Sequence, residues 1–241
     1  MSGAPPDFTI VIPVKDEEGN LEPLFKRIDE ACSDHAFEVV LIDDGSTDRS
    51  DEIINSLKPT YPWIRLLRHD KSAGKSAAVW AGAHAARAPL VVTIDGDGQN
   101  PPEEIPRLIA RLTADDAPAL VAGQRVGRQD TAAKKLASKF ANRLRGWLLN
   151  DHTRDTACGF KAFRRDPFHD LPLFDNLHRL SPAPFQRAGH SIAHLDVKDE
   201  PRLSGQSKYT NFGRAMVGIW DLIGVTWLLK RQTRVAVEED Q

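Results

Sequence analysis

Short apolar runs alternate with segments of helical periodicity through the first half of the chain. The runs are rich in β-branched residues and are typical of buried strands, at residues 8–14, 37–42, 63–67, 90–94 and 117–123. Between them, apolar spacing and N-cap residues predict helices at 21–28, from 46–48 to about 57, and at 77–86 and 103–112. This alternation indicates a doubly wound α/β fold with a mostly parallel sheet.

The second half of the chain is less regular. Residues 132–149 form a predicted helix with an apolar stripe and a face of lysines and arginines that includes Arg145. A turn and a strand are predicted at 155–163, a last strand at 192–197 and an apolar helix at 212–229. We expect one main domain over residues 1–211. Residues 212–241 form a helix and charged tail that belong to this domain or pack on it.

Composition and charge narrow the class of protein. Of the 241 residues, 41% are hydrophobic and 27% are charged, and the net charge of −2 gives no argument for a nucleic-acid partner. The two cysteines, Cys32 and Cys158, lack the spacing of a zinc or redox motif. Neither a signal peptide nor an apolar run of about 18 residues is recognisable, so we expect a cytoplasmic protein that does not cross a membrane.

Two carboxylates and an amide follow the fourth predicted strand. Asp95, Asp97 and Gln99 come just beyond its end and are followed by a Pro-Pro pair. Ligands of open α/β sheets bind at the carboxyl ends of strands, and oxygen ligands suit Mg²⁺ or Mn²⁺ held together with substrate phosphates. The sequence therefore predicts a metal-diphosphate site here. An Asp-Gly turn that binds no ligand is the alternative.

Two further polar loops follow the first and second predicted strands. Residues 13–17 and 43–46 should face the same crevice as Asp95. Carboxylates gathered there would repel each other unless a cation lay among them. A metal-bound nucleotide diphosphate would supply that cation. Asp43 or Asp44 could instead accept hydrogen bonds from a ribose or a base.

Other nucleotide and metal motifs are incomplete. Gly74-Lys75-Ser76 ends like a phosphate-binding P-loop, but His69 stands where that pattern needs its first glycine. No dinucleotide-binding G-x-G-x-x-G follows the first strand. The histidines show no metal-ligand spacing, so we expect surface or packing roles for them.

Five motifs occur in a fixed order along the chain. They are I-P-V-K-D-E at residues 12–17, D-D-G-S-T-D at 43–48, D-G-D-G-Q-N-P-P-E at 95–103, G-F-K at 159–161 and R-L-S-G-Q-S-K at 202–208. Together they resemble family-2 glycosyltransferases, in the dolichol-phosphate mannosyltransferase and polyprenyl-phosphate glycosyltransferase branch. The resemblance covers about residues 8–230. It implies a GT-A fold, a Rossmann-like mostly parallel sheet flanked by helices, an inverting mechanism and a divalent cation, Mg²⁺ or Mn²⁺.

The resemblance implies a role for each matching position. The nucleotide donor would contact Pro13, Lys15, Glu17, Ile42, Asp43, Asp44, Asp95 and Gly96. The metal would be held by Asp95, Asp97 and Gln99. The catalytic residues would be Asp97, the phosphate-binding Arg125, Arg202 and Lys208, and Asp155, which would orient the acceptor. Lys15 and Asp16 stand where many relatives have tyrosine and asparagine, which leaves the base of the donor open.

These roles imply transfer of a hexose to a polyprenyl phosphate, dolichyl or undecaprenyl, with GDP-mannose as the first choice of donor. The alternative donor is a UDP-sugar that carries glucose or an amino sugar, with a lipid phosphate or a hydroxyl of a glycan or lipid A as acceptor. A hydroxyl acceptor needs a general base, and Asp155 would then be the candidate. A nucleotide-sugar-binding protein without catalysis is the non-enzymatic alternative.

A lipid acceptor implies contact with a membrane surface. The helix at 132–149 has the pattern of an interfacial helix, and the helix at 212–229 carries Trp220 and Trp227. Packing on the sheet or a homodimer contact is the alternative for the second helix. Attachment is expected to be peripheral, at the cytoplasmic face of the membrane.

Overall fold

Strands and helices alternate along most of the chain. The computed structural model describes residues 5–126, 145–146, 148–149, 151, 153–201 and 211–231, without the side chains of 211–217 and 219. The strands are β1 (Phe8–Val14), β2 (Phe37–Asp43), β3 (Ile64–Arg68), β4 (Leu90–Thr93), β5 (Leu120–Arg125), β6 (Lys161–Arg164) and β7 (Ile192–Val197). The helices are α1 (Leu21–Ala31), α2 (Ser50–Leu57), α3 (Lys75–Ala85), α4 (Ile105–Leu112), α5 (Arg165–His169), α6 (Leu177–Leu180), α7 (Pro182–Arg187) and α8 (Asn211–Arg231). A 3-10 turn at Pro102–Glu104 precedes α4.

The strands form one seven-stranded sheet in the order β3-β2-β1-β4-β6-β5-β7. β1 pairs in parallel with β2 on one side and with β4 on the other. β6 is antiparallel to both of its neighbours, β4 and β5, whereas β5 and β7 are parallel. The predicted α/β fold with a mostly parallel sheet is therefore confirmed.

Both faces of the central strands are buried, as their nearly continuous apolar sequence predicts. Ile10 and Ile12 of β1 belong to a cluster that includes residues of α1 and α4. Val11 points to the other face and joins a cluster that includes residues of α3, α5 and α6. A β-carbon at Gly82 of α3 would lie 2.5 Å from side-chain atoms of both Val11 and Ile42. Glycine at this position therefore lets α3 pack closely on the sheet.

Three local expectations are wrong. The fifth strand begins at Leu120 and not at residue 117, because Ala117 has a positive φ of 39° that an extended strand cannot contain. The second helix begins at Ser50, with Arg49 as its N-cap, and not at residues 46–48. The Asp48 side chain still accepts the N–H of Ser50 at 2.9 Å. Arg145, expected on an exposed basic face, is buried and pairs with Asp151. Most of the predicted helix at 132–149 lies outside the described residues.

The described side chains of the helix α8 pack against the end of the fold on one side of the helix. A third apolar cluster contains Leu149, Leu180, Ala183 and Val225. The other side of α8 presents Trp220, Ile223 and Trp227, which are 69%, 54% and 61% exposed. Among the described residues, no helix combines the length and the apolar character needed to span a membrane.

Candidate active site

The carboxyl ends of β1, β2 and β4 lie side by side. β1 and β2 pair in register as far as Val14 and Asp43, and β4 pairs with β1 as far as Thr93. The three polar loops therefore start at one edge of the sheet. Their closeness is clear at Gly96, where a β-carbon would lie 3.3 Å from the carbonyl oxygen of Pro13.

The loops after β1 and β2 are joined by hydrogen bonds. Backbone N–H groups of the first loop donate to side chains of the second at 2.9–3.1 Å, in the pairs Asp16–Ser46, Glu17–Ser50 and Glu18–Asp48. The Asp16 carboxylate in turn accepts the N–H of Thr47 at 2.6 Å. The sequence suggested that a cation is needed to offset the negative charge of these loops. Hydrogen-bond donors of the protein offset part of that charge.

The carboxylate of Asp44 is buried and accepts four hydrogen bonds. The donors lie at 2.7–3.0 Å and are Nδ1 of His69, the hydroxyl of Ser72 and the N–H groups of Ala73 and Gly74. Burial would raise the pKa of Asp44, but the hydrogen bonds outweigh it and hold the pKa below its usual range. Asp44 therefore fixes the loop that leads into α3. Its neighbour Asp43 accepts the N–H of Ser46 at 2.8 Å and closes a turn.

The Asp95 carboxylate lies against a lysine. Its Oδ1 is 2.5 Å from Nζ of Lys75, the first residue of α3. Its backbone N–H donates to Oδ1 of Asn100 at 3.2 Å, which folds the following turn back toward the strand end. Gly159 covers the carboxylate so closely that a β-carbon there would collide with both of its oxygens. Sequence reasoning did not assign roles to Lys75, Asn100 or Gly159.

Asp97 belongs to the same turn and is 7% exposed. Its Oδ1 accepts the backbone N–H of Gln99 at 3.1 Å. This is the aspartate turn that the sequence allowed as an alternative to a metal site. The turn also holds the two carboxylates, two residues apart, at the edge of the sheet, so the two interpretations do not exclude each other.

The oxygen donors of this turn fit a divalent cation that shares its ligands with a substrate. No group of three or more His, Cys, Asp or Glu residues within the described ranges is arranged to hold a metal by itself. Mg²⁺ is often held by one or two carboxylates, with phosphate and water as its other ligands. Asp95 and Asp97 match that pattern, and Gln99, two residues after Asp97, carries an amide oxygen.

A small cavity beside Asp95 is lined by several polar groups, which include Lys75, Lys161, His178 and Ser181. Lys161 is buried, and its Nζ donates to the carbonyl of Cys158 at 2.5 Å. Burial, together with the charge of Lys75, lowers the pKa of Lys161 to about 8. The same two causes, with the charge of Lys161, lower the pKa of His178 well below its usual value. His178 is therefore neutral at pH 7, with Nδ1 2.7 Å from the hydroxyl of Ser76.

Arg125 and Asp155, which the sequence predicted separately, form one ion pair. Nε and Nη2 of Arg125 donate to the two oxygens of Asp155 at 2.7 and 3.0 Å. Burial opposes the charge on Arg125, but the hydrogen bonds to Asp155 outweigh it and raise the pKa of the guanidinium. Asp155 also accepts the N–H of Ala157 at 3.2 Å. This geometry makes Asp155 a residue that positions Arg125.

The other predicted site residues differ in burial and in their hydrogen bonds. The side chain of Ile42 is fully buried in the core between the sheet and α3, so it does not line the crevice, and its predicted contact with the nucleotide stays a prediction. Pro13 lines the cavity beside Asp95, Lys15 is exposed, and Glu17 accepts a hydrogen bond from Asn20 at 2.5 Å. Arg202 and Lys208 lie outside the described residues.

A long-range ion pair supports the turn that carries Gln99. Arg27 of α1 donates two hydrogen bonds to Glu103 and two to Glu200, at 2.7–3.1 Å. The backbone N–H of Glu200 donates to the carbonyl of Gln99 at 3.0 Å. Residues that are distant in sequence thus hold both sides of this turn, and no local pattern could have indicated Arg27.

The chain is similar in sequence to known glycosyltransferases. The family described as Glycosyl transferase family 2 matches residues 9–171. The undecaprenyl-phosphate 4-deoxy-4-formamido-L-arabinose transferase of Klebsiella pneumoniae is 33% identical over 221 residues, which are 89% of this chain and 66% of that protein. The dodecaprenyl-phosphate galacturonate synthase of Rhizobium johnstonii is 29% identical, over 95% of this chain and 69% of that protein. The chain thus spans about two thirds of the length of these relatives.

Solved structures confirm the fold. A glucosyl-3-phosphoglycerate synthase from Mycobacterium tuberculosis, in complex with Mn²⁺, UDP and phosphoglyceric acid, superposes with a TM-score of 0.69 at 20% identity, over 95% of this chain and 80% of that one. A second mycobacterial protein gives a TM-score of 0.68 at 21% identity, over 91% of this chain and 75% of that one. The fold is therefore GT-A, and with the family match over most of the chain, this protein belongs to glycosyl transferase family 2.

Proposed function

We propose that this protein transfers a sugar from a nucleotide-sugar donor to a polyprenyl phosphate, with inversion at the anomeric carbon. The observation that carries the proposal is the edge where β1, β2 and β4 end, with Asp95 and Asp97 on one turn. The relatives from Klebsiella and Rhizobium are named for undecaprenyl-phosphate and dodecaprenyl-phosphate products, which supports a lipid phosphate as the acceptor.

The donor side of the site uses carboxylates and backbone groups. Asp95 and Asp97 would hold Mg²⁺ or Mn²⁺, which when bound neutralises charge on the departing nucleoside diphosphate. The loops after β1 and β2 would hold the nucleoside, and their mutual hydrogen bonds keep them in place before it arrives. Such preorganisation lowers the cost of binding and of reaching the transition state.

On the acceptor side, the proposed reaction requires cations that bind the phosphate, and it does not require a general base. A phosphate monoester has a second pKa of about 6 and is already largely ionised at neutral pH, so it can attack the anomeric carbon directly. Arg125, which is paired with Asp155, would orient the phosphate, and we propose the same role for Arg202 and Lys208. The occupied carboxylate of Asp155 supports a phosphate acceptor over a hydroxyl, which would need a free base.

The identity of the transferred sugar, and hence of the donor, is a separate part of the proposal. The motifs favour a hexose from GDP-mannose, with UDP-sugars as the alternative donors. The relatives are named for a modified arabinose and for galacturonate. A test of donors should therefore include GDP-mannose, UDP-glucose and the nucleotide-activated forms of those two sugars.

We further propose that the protein meets its lipid at a membrane surface through α8. Trp220, Ile223 and Trp227 lie three and four residues apart on its exposed side. Tryptophan side chains are favoured at the headgroup level of a bilayer. A homodimer contact through the same face is the competing interpretation.

The proposal is tested by following radiolabelled sugar into lipid. The purified protein is incubated with each donor, polyprenyl phosphate in detergent and Mg²⁺ or Mn²⁺, and the organic extract is counted. The control acceptor is the corresponding polyprenol, which lacks the phosphate. We expect label in lipid from one donor, only with the phosphate and only without a chelator. Absence of a lipid product from every donor would contradict the proposal.

A further inference from the structure

Lys75, from the incomplete P-loop motif, contacts the Asp95 carboxylate of the candidate site. Its Nζ lies 2.5 Å from Oδ1 of Asp95, and the two side chains are 35% and 25% exposed. It occupies the first turn of α3, which contains no acidic residue. A cation in the first turn of a helix is disfavoured by the helix dipole, so the local sequence does not explain a lysine there. The contact with Asp95 explains why a lysine stands at this position.

We propose that Lys75 is a built-in counter-ion, which occupies the Asp95 carboxylate in the metal-free protein and must leave it when a divalent cation binds. The inference rests on the proposed metal role of Asp95 and Asp97. Gly159 packs against the Asp95 carboxylate, and the ammonium occupies Oδ1. A divalent cation on the same carboxylate would lie within a few ångströms of that ammonium, where two positive charges repel strongly.

The surroundings show why Lys75, and not its neighbour Lys161, is the cation that leaves. Lys161 is 3% exposed and donates to the Cys158 carbonyl at 2.5 Å, so its charge is fixed beneath the site. Lys75 reaches Asp95 from the surface through a flexible side chain that is about one third exposed. Its ammonium can therefore return to solvent at small cost, and the site has one fixed and one releasable cation.

This arrangement has a definite consequence for metal affinity. The Lys75 ammonium competes with the metal for Asp95. The free energy of metal binding is therefore less favourable by the free energy needed to break the Lys75–Asp95 pair. Removal of the ammonium should therefore tighten metal binding. A residue that merely supported the site would have the opposite effect when replaced.

The test measures Mn²⁺ binding to the full chain by electron paramagnetic resonance, without donor or acceptor. We expect Lys75→Met to bind Mn²⁺ about twofold to fivefold more tightly than the wild type, the range set by a partly exposed ion pair. Lys75→Arg keeps the counter-ion and should bind as weakly as the wild type. Lys26→Met removes a lysine that pairs with Glu30 on the surface and should change nothing.

The outcomes separate this inference from the proposal on which it rests. Equal or weaker Mn²⁺ binding by Lys75→Met, while Asp97→Ala abolishes binding, would overturn the counter-ion role and leave the metal site in place. If Asp97→Ala does not reduce Mn²⁺ binding, the metal assignment fails, and the counter-ion role fails with it. Circular dichroism of each variant confirms that the fold is kept.

Discussion

At the scale of single residues, the aspartates of the candidate site differ in the groups that donate hydrogen bonds to their carboxylates. Asp43 and Asp44 are satisfied by protein groups, and their side chains close turns. Asp95 is instead paired with a lysine ammonium, and Asp97 accepts the N–H of Gln99. The carboxylates of Asp43 and Asp44 thus stabilise the loops at the sheet edge, and Asp95 and Asp97 are the pair that we propose for the metal.

Lys161 gives a residue-scale prediction for pH. Burial lowers its pKa to about 8 in the folded protein, against 10.5 in the unfolded chain. Between these values the unfolded chain binds the proton and the folded protein does not, so the free energy of unfolding should rise as the pH increases from 8 to 10.5. Relative to Lys161→Met, we expect a gain on the order of 3 kcal/mol over this window.

Urea unfolding of both proteins at pH 7, 8.5 and 10 checks this expectation. Taking the difference between the wild type and Lys161→Met removes the other groups that titrate in the same range. A difference that stays constant, or that falls with pH, would show that Lys161 does not carry a buried charge.

At the scale of elements, periodicity predicted the strands that are buried on both faces and the helices that cover them. β1 and β7 have the predicted bounds because their apolar runs end at clear polar boundaries. The antiparallel direction of β6 could not be predicted, because Lys161–Arg164 is short and its partners, β4 and β5, lie far away in sequence. The three short helices α5, α6 and α7 lie between β6 and β7, where the sequence predicted no helix.

The helix α8 supports a prediction at the same scale. Replacing Trp220 and Trp227 together by serine should weaken binding to vesicles of phosphatidylethanolamine and phosphatidylglycerol by at least about tenfold, since each exposed indole would lose its burial in the headgroup region. Co-sedimentation with vesicles measures this. Leu173→Ser is the matched control, because Leu173 is a 48% exposed apolar residue outside α8. Unchanged vesicle binding by the double variant would favour the homodimer interpretation of this face.

At the scale of the whole molecule, the sequence could predict which strand ends meet but not what holds them. Convergence of the three loops follows from the parallel order of β1, β2 and β4. The residues that contact the site come from elsewhere in the fold: Arg27 from α1, Lys75 from α3 and Gly159 from the residues before β6. These contacts depend on tertiary packing, which a single sequence does not encode in any local spacing.

The central claim is that sugar transfer takes place at the turn of Asp95 and Asp97, and Asp97→Asn tests it most directly. The substitution keeps the size of the side chain and removes its charge. We expect transfer of labelled sugar to polyprenyl phosphate to fall by at least about a hundredfold, with an unchanged melting temperature. Asp116→Asn, which breaks an exposed ion pair with Arg111, should keep full activity. Wild-type rates of transfer in Asp97→Asn would contradict the account.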